Sequence, residues 1–361
     1  MIYRTVLCLW LVLFFFPGGL KGQVYSDHKV RKYKITEKTT VEVTNKYGKV
    51  HVITWDKDSV KFEVDLRISA NSDQKMQKLR DNISFEFTAT KYYVVAKTKF
   101  SNQAGIISDF VDAFIPSNRV TINYLVYVPK KSNLKIENKF GDIYMDDFEG
   151  NLDIILSNGD IKANTLTGSP TINLNSGDGT VNSISNGKIF AAYSDMRIKL
   201  ARNLNMDTKS SRISINSAKD VTVNSSRDKY NIEEIESLNM TGYFTTVNIE
   251  NLVKELRCSL KYGSVMVEQV YNSFSLINLD SEYADIDLFF KRSTSYNLDI
   301  THHNDVYINL PASLANLKTE DVDVPEKLKL TYGKIGNTAT ETSHKVKINA
   351  TKKCIINIIH K

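Results

Sequence analysis

Residues 134–181 show a repeat of 18 residues. Two full units, LKIENKFGDIYMDDFEGN and LDIILSNGDIKANTLTGS, are followed by the start of a third, PTINLNSGDGTV. Each unit contains a short strand with two alternating apolar residues, a turn rich in Ser, Asn, Gly and Asp, and a second strand of the same kind. In the first unit the pairs are Leu134/Ile136 and Ile143/Met145. This alternation is the period-2 signature of a half-buried strand.

The same pattern recurs along the chain until about residue 308. Later inward pairs include Leu256/Cys258, Phe274/Leu276 and Val306/Ile308, while the segment 225–236 keeps Ile232 but is otherwise irregular. A unit of about 18 residues cannot bury its own apolar face, but stacked units bury it in one continuous core. A β-propeller is the competing architecture, yet its blades need about 40 residues and four strands. The sequence therefore predicts an all-β fold, a β-solenoid with two short strands per rung of roughly 18 residues.

The two ends of the chain do not keep this repeat. We predict an N-terminal β-rich cap over residues 23–130, the solenoid over 131–310, and C-terminal capping strands over 311–361, with closing strands at 328–335 and 346–359. The cap contains one helix candidate at residues 71–81, opened by Asn71 or Ser72 as N-cap, and a mobile excursion at 100–117. The ends of a solenoid are exposed strand edges that can associate with other chains. The terminal units therefore usually differ from the repeat and cover these edges.

Residues 1–22 have the layout of a cleavable secretory signal peptide. Arg4 supplies the positive charge, residues 5–16 form an apolar run, and Gly22 is a small residue before Gln23. An uncleaved N-terminal anchor is the alternative, but the apolar run is short for a span, and no second transmembrane segment is expected. We therefore expect an exported protein that is located in the periplasm, on the outer surface or outside the cell.

Charge and cysteine content narrow the classes of function. Loss of Arg4 and Lys21 with the signal lowers the formal charge from +6 to +4, and basic residues alternate with acidic ones, so we expect no nucleic-acid partner. After processing, Cys258 and Cys354 remain. We estimate that about four rungs separate them, roughly 19 Å at strand spacing, so both are predicted to be free thiols.

Short sequence motifs at the turns resemble those of a known protein family. NKYGKV at 45–50 and NKFGDI at 138–143 are similar to each other, and KYGSV at 261–265 and YGKI at 332–335 are variants. Together with Trp55-Asp56-Lys57 and VYVPK at 126–130, they resemble a family of exported bacterial proteins described as "putative adhesins" with a β-solenoid domain of unknown function. The resemblance implies a solenoid in the cell envelope or outside it, and supplies no family active site.

Acidic residues at the turns are the candidate metal ligands. Asp142, Asp160 and Asp178 each follow a glycine at 18-residue spacing, and Asp195, Asp285 and Asp305 are expected to occupy the same slot in other rungs. A column of carboxylates suits calcium. The alternative is turn chemistry, in which Asp binds nearby backbone groups. We expect no cofactor and no catalytic constellation.

Outward aromatic residues are the candidate binding residues. Tyr144 and Tyr307 are expected on strand faces, and Tyr262 and Tyr283 in turns. They can stack on a sugar or on a protein surface, or they can simply shield strand edges. The favoured interpretation is a non-catalytic exported scaffold or adhesin-like binding protein that presents an extended β-face to a glycan or an envelope protein. The alternatives are a polysaccharide lyase or hydrolase on a β-helix, and a spacer without a ligand.

Overall fold

A computed structural model describes residues 23–101, 119–336 and 342–361. The predicted signal peptide and residues 102–117 of the predicted excursion lie outside these ranges. The described chain is all-β and solenoid-like, as the repeat predicts. The one helix within those ranges, α1 (Asp73–Asp81), begins after Ser72, whose hydroxyl accepts a hydrogen bond from the Lys75 N–H at 3.4 Å. The predicted helix at 71–81 is confirmed, and it is too short and too polar to cross a membrane.

Twenty-three strands make up the rest of the described fold. In chain order they are β1 (Gln23–Lys34), β2 (Thr40–Lys46), β3 (Val50–Trp55), β4 (Ser59–Ala70), β5 (Ile83–Ala89), β6 (Tyr93–Phe100), β7 (Val120–Pro129), β8 (Asn133–Lys139), β9 (Ile143–Met145), β10 (Asn151–Ser157), β11 (Ile161–Leu166), β12 (Ser169–Asn175), β13 (Asp178–Ala192), β14 (Asp195–Lys209), β15 (Arg212–Ser226), β16 (Lys229–Val270), β17 (Leu276–Phe290), β18 (Tyr296–His303), β19 (Tyr307–Asn309), β20 (Ala315–Asp323), β21 (Leu328–Ile335), β22 (Lys345–Ala350) and β23 (Ile355–His360).

The central rungs pair in parallel and form two layers of one continuous sheet. The first strands of successive rungs, β8, β10 and β12, pair with one another, and so do the second strands, β9, β11 and β13. From β13 onward one long strand supplies the second strand of a rung and the first strand of the next. We call the two layers the first-strand sheet and the second-strand sheet.

Apolar side chains fill the space between these sheets. In the second-strand sheet Ile143, Ile161 and Gly179 lie in register and are buried, and Met196 and Ile213 continue the column. The buried residues form one cluster along the described chain. Stacking therefore buries what no single rung could bury alone.

The irregular segment 225–236 is a rung and not an interruption. Tyr230 lies in register with Ile213 and is fully buried, and Ile232 lies in register with Ile215. The Tyr230 hydroxyl is hydrogen-bonded to Thr208 Oγ1 at 2.6 Å. Burial raises the pKa of the Tyr230 phenol, so the side chain stays neutral in the core.

A buried carboxylate accompanies Tyr230 at the corner of this rung. The side chain of Asp228 is 1% exposed. It accepts hydrogen bonds from the hydroxyls of Thr208 at 2.6 Å and Ser225 at 2.7 Å. It also accepts from the backbone N–H groups of Ser211 at 2.7 Å and Ser226 at 3.0 Å. Four donors from neighbouring turns compensate the loss of water around the charge.

The predicted inward pair Phe274/Leu276 is wrong at Leu276, because the register of the strand differs from the one predicted. Leu276 is only half-buried, whereas Ile277 and Leu279 are buried and lie in register with Leu256 and Cys258. The repeat lengthens here, and the extra residues shift the alternation by one. A shift of one residue moves every side chain to the other face of a strand.

The N-terminal segment contributes rungs as well as a cap. β2 lies parallel between β6 and β8, and β3 lies parallel between β7 and β9. The rung formed by β2 and β3 is therefore inserted between a later rung and the central ladder. The parallel ladder thus begins before residue 131, where the repeat becomes visible in the sequence.

Antiparallel strands cover the N-terminal end of this ladder. β4 pairs with β7 and with β1, and β5 pairs with β6. Lys29 and Arg31 of β1 extend over the rings of Phe85 and Phe87 of β5. Charged side chains on an edge strand oppose edge-to-edge association.

The C-terminal segment also inserts a later rung between two earlier ones, at the other end of the parallel ladder. β22 lies parallel between β17 and β18, and β23 lies parallel between β17 and β19. β21 is antiparallel to β18 and to β20. β21 matches the predicted closing strand at 328–335, whereas the predicted strand at 346–359 is in fact two strands.

This insertion changes the distance between the two mature cysteines. Cys258 lies in register with Leu279 of β17, and the next rung is formed by β22 and β23, which flank Cys354. About two rungs, and not four, separate the two residues. Two rung spacings are still about 10 Å, beyond the roughly 7 Å that bridged Cα atoms allow. Both cysteines are buried and free.

We expect titration of the denatured, unreduced mature protein with a thiol reagent to find two thiols. In the native protein both should react slowly, because burial raises the pKa of Cys258 to about 12 and also raises the pKa of Cys354. The thiolate is the reactive form, so few molecules react at neutral pH. Finding no thiol in the denatured protein would contradict the inserted position of β23.

Candidate functional site

Each central rung bends through a corner at which one residue has a left-handed backbone. These corner residues have φ between 51° and 66°, and they are Tyr47, Phe140, Asn158, Ser176, Tyr193, Ser210, Arg227, Phe244, Tyr262 and Tyr283. A side chain in this conformation costs about 1 kcal/mol or more. The conformation directs the corner N–H along the solenoid, as when Tyr193 N–H donates to the Lys209 carbonyl at 2.9 Å. The bond between rungs offsets the cost.

Three corner residues form a stacked aromatic ladder. The rings of Phe244 and Tyr262 are 4.8 Å apart with an interplanar angle of 12°, and those of Tyr262 and Tyr283 are 5.3 Å apart with an angle of 8°. Two of the predicted binding residues, Tyr262 and Tyr283, are therefore brought together. Both faces of the Tyr262 ring are covered by its neighbours, so it offers only its edge. The ladder is a wall along the corner and not a platform for sugar stacking.

A groove runs beside this ladder on the outer face of the first-strand sheet. Its volume is about 400 Å³. One column of exposed residues follows its floor from rung to rung, and these groove residues are Asn224, Thr241, Ser259, Asp280 and Asn349. Register pairs Asn224 with Thr241, and Asp280 with both Ser259 and Asn349. Amide, hydroxyl and carboxylate groups thus repeat along the axis of the solenoid.

One aromatic ring belongs to the groove itself. Tyr243 lines it and is 43% exposed. Its plane is tilted 76° from the Phe244 ring, with the centroids 4.5 Å apart. Because Tyr243 is not part of the parallel stack, it supplies the apolar contact that the polar column lacks.

Charges in the groove are few and slightly negative. Lys261 Nζ lies 2.9 Å from a Glu282 carboxylate oxygen, and this hydrogen bond raises the pKa of Lys261. Asp280 is the one further charged residue among those that line the groove. One cation therefore faces two carboxylates.

Tyr144 lies far from this groove, on the outer face of β9. Its hydroxyl donates to Asp142 at 3.2 Å, and its ring contacts His51 edge-on with centroids 6.0 Å apart. Burial and, to a smaller extent, the neighbouring carboxylates raise the pKa of the Tyr144 phenol. Tyr144 belongs to a small polar cluster at the N-terminal part of the ladder.

Tyr307 lies near the opposite end, on β19. It is 65% exposed, and it lies in register with Ile355, because Ile308 pairs with Ile356 and Ile356 with Ile286. The expected equivalence of Val306 with Ile286 is therefore wrong by two residues. Tyr307 does not continue the column that contains Tyr144, and the two residues cannot contact one small ligand.

The predicted aspartate column exists and binds backbone. Asp142 accepts from the N–H of Asp160 at 3.0 Å, and Asp160 accepts from the N–H of Asp178 at 2.9 Å. Asp195 continues the column and forms an ion pair with Arg212 at 2.9 Å. Asp305 does not belong to it, because the slot is occupied by Tyr307 in that rung. Across the described ranges, no group of three or more His, Cys, Asp or Glu side chains is arranged to hold a metal ion.

The groove residues carry little recognisable signal in the sequence. Thr241, Tyr243, Ser259 and Asn349 occur in ordinary strand positions, and no phrase marks them. Asn349 reaches the groove only because β22 is inserted beside β17. The pair Tyr243-Phe244 is the one sequence feature that indicates the groove. Two successive aromatic residues at a corner place one ring on each side of the corner.

No family model and no curated protein matches this chain. Several solved structures are similar to it, including the following three. One is a putative cell adhesion protein from Clostridium sporogenes, at 10% identity and a TM-score of 0.19, covering 93% of this chain and 100% of that one. The second is a putative adhesin from Parabacteroides distasonis, at 11% identity and a TM-score of 0.37, covering 74% and 98%. The third is a putative adhesin from Bacteroides fragilis, at 13% identity and a TM-score of 0.30, covering 73% and 97%.

Proposed function

We propose that this chain is a non-catalytic, exported binding protein that holds a glycan in the groove beside the aromatic ladder. The observation that carries the proposal is the column of exposed amide, hydroxyl and carboxylate groups from Asn224 to Asn349, with Tyr243 beside it. Polar groups placed at intervals, together with one aromatic surface, match the alternating hydroxyl groups and apolar faces of sugars.

The groove favours binding over cleavage. Asp280 and Glu282 are two residues apart on one strand, so they are the pair that a glycoside hydrolase would use. Glu282 is held by Lys261, and Asp280 is exposed to water. The general acid that cleaves a glycosidic bond is typically a carboxyl group in apolar surroundings. Neither residue has such surroundings.

The proposed location follows from the first 22 residues. Their charged start, apolar run and small residue before Gln23 support the proposed export of the chain. A binding groove on an outer sheet face suits a protein that meets its ligand in the envelope or at the cell surface.

A pair of matched variants tests the location of the site. Thr241 and Thr222 are both exposed on the first-strand sheet, but only Thr241 lines the groove. We expect Thr241→Trp to reduce retention of the protein on an immobilised glycan at least tenfold, because the indole fills the groove. Thr222→Trp should bind as the unmodified protein does, and both variants should melt normally. Equal retention of the two variants would contradict the proposal.

A further inference from the structure

The groove has a direction that limits the shape of its ligand. The floor residues follow the solenoid axis across five successive rungs, through Asn224, Thr241, Ser259, Asp280 and Asn349. Neighbouring rungs are about 4.8 Å apart, so the column is about 19 Å long. The rung spacing of about 4.8 Å is close to the length of one sugar ring in an extended chain. A polymer along the axis would therefore meet the same kind of polar contact at each sugar.

The groove's charge limits the chemistry of that polymer. Lys261 is neutralised by Glu282, and Asp280 leaves an unpaired negative charge on the floor. A chain with a carboxylate on every sugar would place like charges next to Asp280, which disfavours binding. An uncharged chain meets no such repulsion.

We infer that the ligand is an uncharged linear polysaccharide that lies along the solenoid axis, with about one sugar per rung. The inference rests on the proposed function, and adds the orientation and the chemical class of the glycan. Tyr243, two residues beyond Thr241 on the same strand, then contacts a sugar face near the second of the five floor residues.

Oligosaccharides of defined length test both parts of this inference. The probes are uncharged glucan, mannan, xylan and chitin oligomers of two to eight units, with oligogalacturonates of the same lengths. We expect affinity for one uncharged series to rise with each added sugar and to level off at about five units, where the groove ends. Oligogalacturonates should bind at least tenfold more weakly, and Asp280→Asn should narrow that difference. Affinity for the uncharged series should not change with salt, since no ion pair forms.

The outcomes separate this inference from the proposed function. An affinity that levels off at one or two sugars would contradict the axial orientation. A preference for oligogalacturonates would contradict the uncharged ligand. In both cases binding that is lost in Thr241→Trp would leave the proposed function intact. If no oligomer of any kind bound, the inference and the proposed function would fail together.

Discussion

Replacing Ile161 with Asp should lower the free energy of unfolding by more than about 4 kcal/mol, since it buries an unpaired carboxylate in the core. Ile161 is fully buried and lies between Ile143 and Gly179 in the second-strand sheet, with parallel strands on both sides. The neighbouring rungs leave no path by which the charge could reach water. Thermal and urea unfolding, followed by circular dichroism, measure the change.

The next residue provides the matched control. Lys162 is exposed on the outer face of the same strand. Lys162→Asp should change the free energy of unfolding by no more than about 0.5 kcal/mol. If the two variants unfolded alike, the assignment of inward and outward faces in the ladder would be wrong.

Replacing Asp228 with Ala should cost about 4 kcal/mol, because it leaves several buried donors without an acceptor. The Asp228 carboxylate accepts from the hydroxyls of Thr208 and Ser225 and from two backbone N–H groups. Asp228→Asn should cost less, since the amide keeps one acceptor oxygen. The same unfolding measurements apply.

Asp207→Ala is the control for this prediction. Asp207 is exposed on the outer face of the first-strand sheet, next to Thr208 in sequence. Its removal should leave stability nearly unchanged, as surface substitutions usually do. A loss of stability that is equal for Asp207→Ala and Asp228→Ala would show that the corner network does not support the rungs.

The regular rungs could be predicted from the sequence because their contacts are local in the repeat. Ile143 and Ile161 are 18 residues apart and become neighbours in adjacent rungs. The alternation of apolar and polar residues then fixes which side chains face the core. The αL corners could not be predicted in the same way, since the corner slot holds residues as different as Ser176, Arg227 and Tyr262.

The two ends could not be predicted because their pairings are distant in sequence. Val41 of β2 pairs with Leu134, and Ile286 of β17 pairs with Ile356. Nothing in a linear repeat shows that a later strand is inserted between two earlier rungs. The register of β19 against β23 likewise places Tyr307 two residues from its expected column.

The candidate site was predicted only in part for the same reason. Tyr262 and Tyr283 can be singled out in the sequence because they lie in recognisable turns, and the structure stacks them on each other. The groove beside them needs Asn349 from the inserted strand and Tyr243 from an ordinary strand position. Its existence depends on tertiary packing and not on a motif.

One incubation tests directly whether the groove binds a polysaccharide without cleaving it. The mature protein is mixed with uncharged linear polysaccharides, and the polymer retained and the reducing and unsaturated ends released are measured in the same sample. We expect retention of intact polymer with no new ends above the protein-free control. Release of ends that Asp280→Asn abolishes would contradict it, and would identify the chain as a glycan-cleaving enzyme.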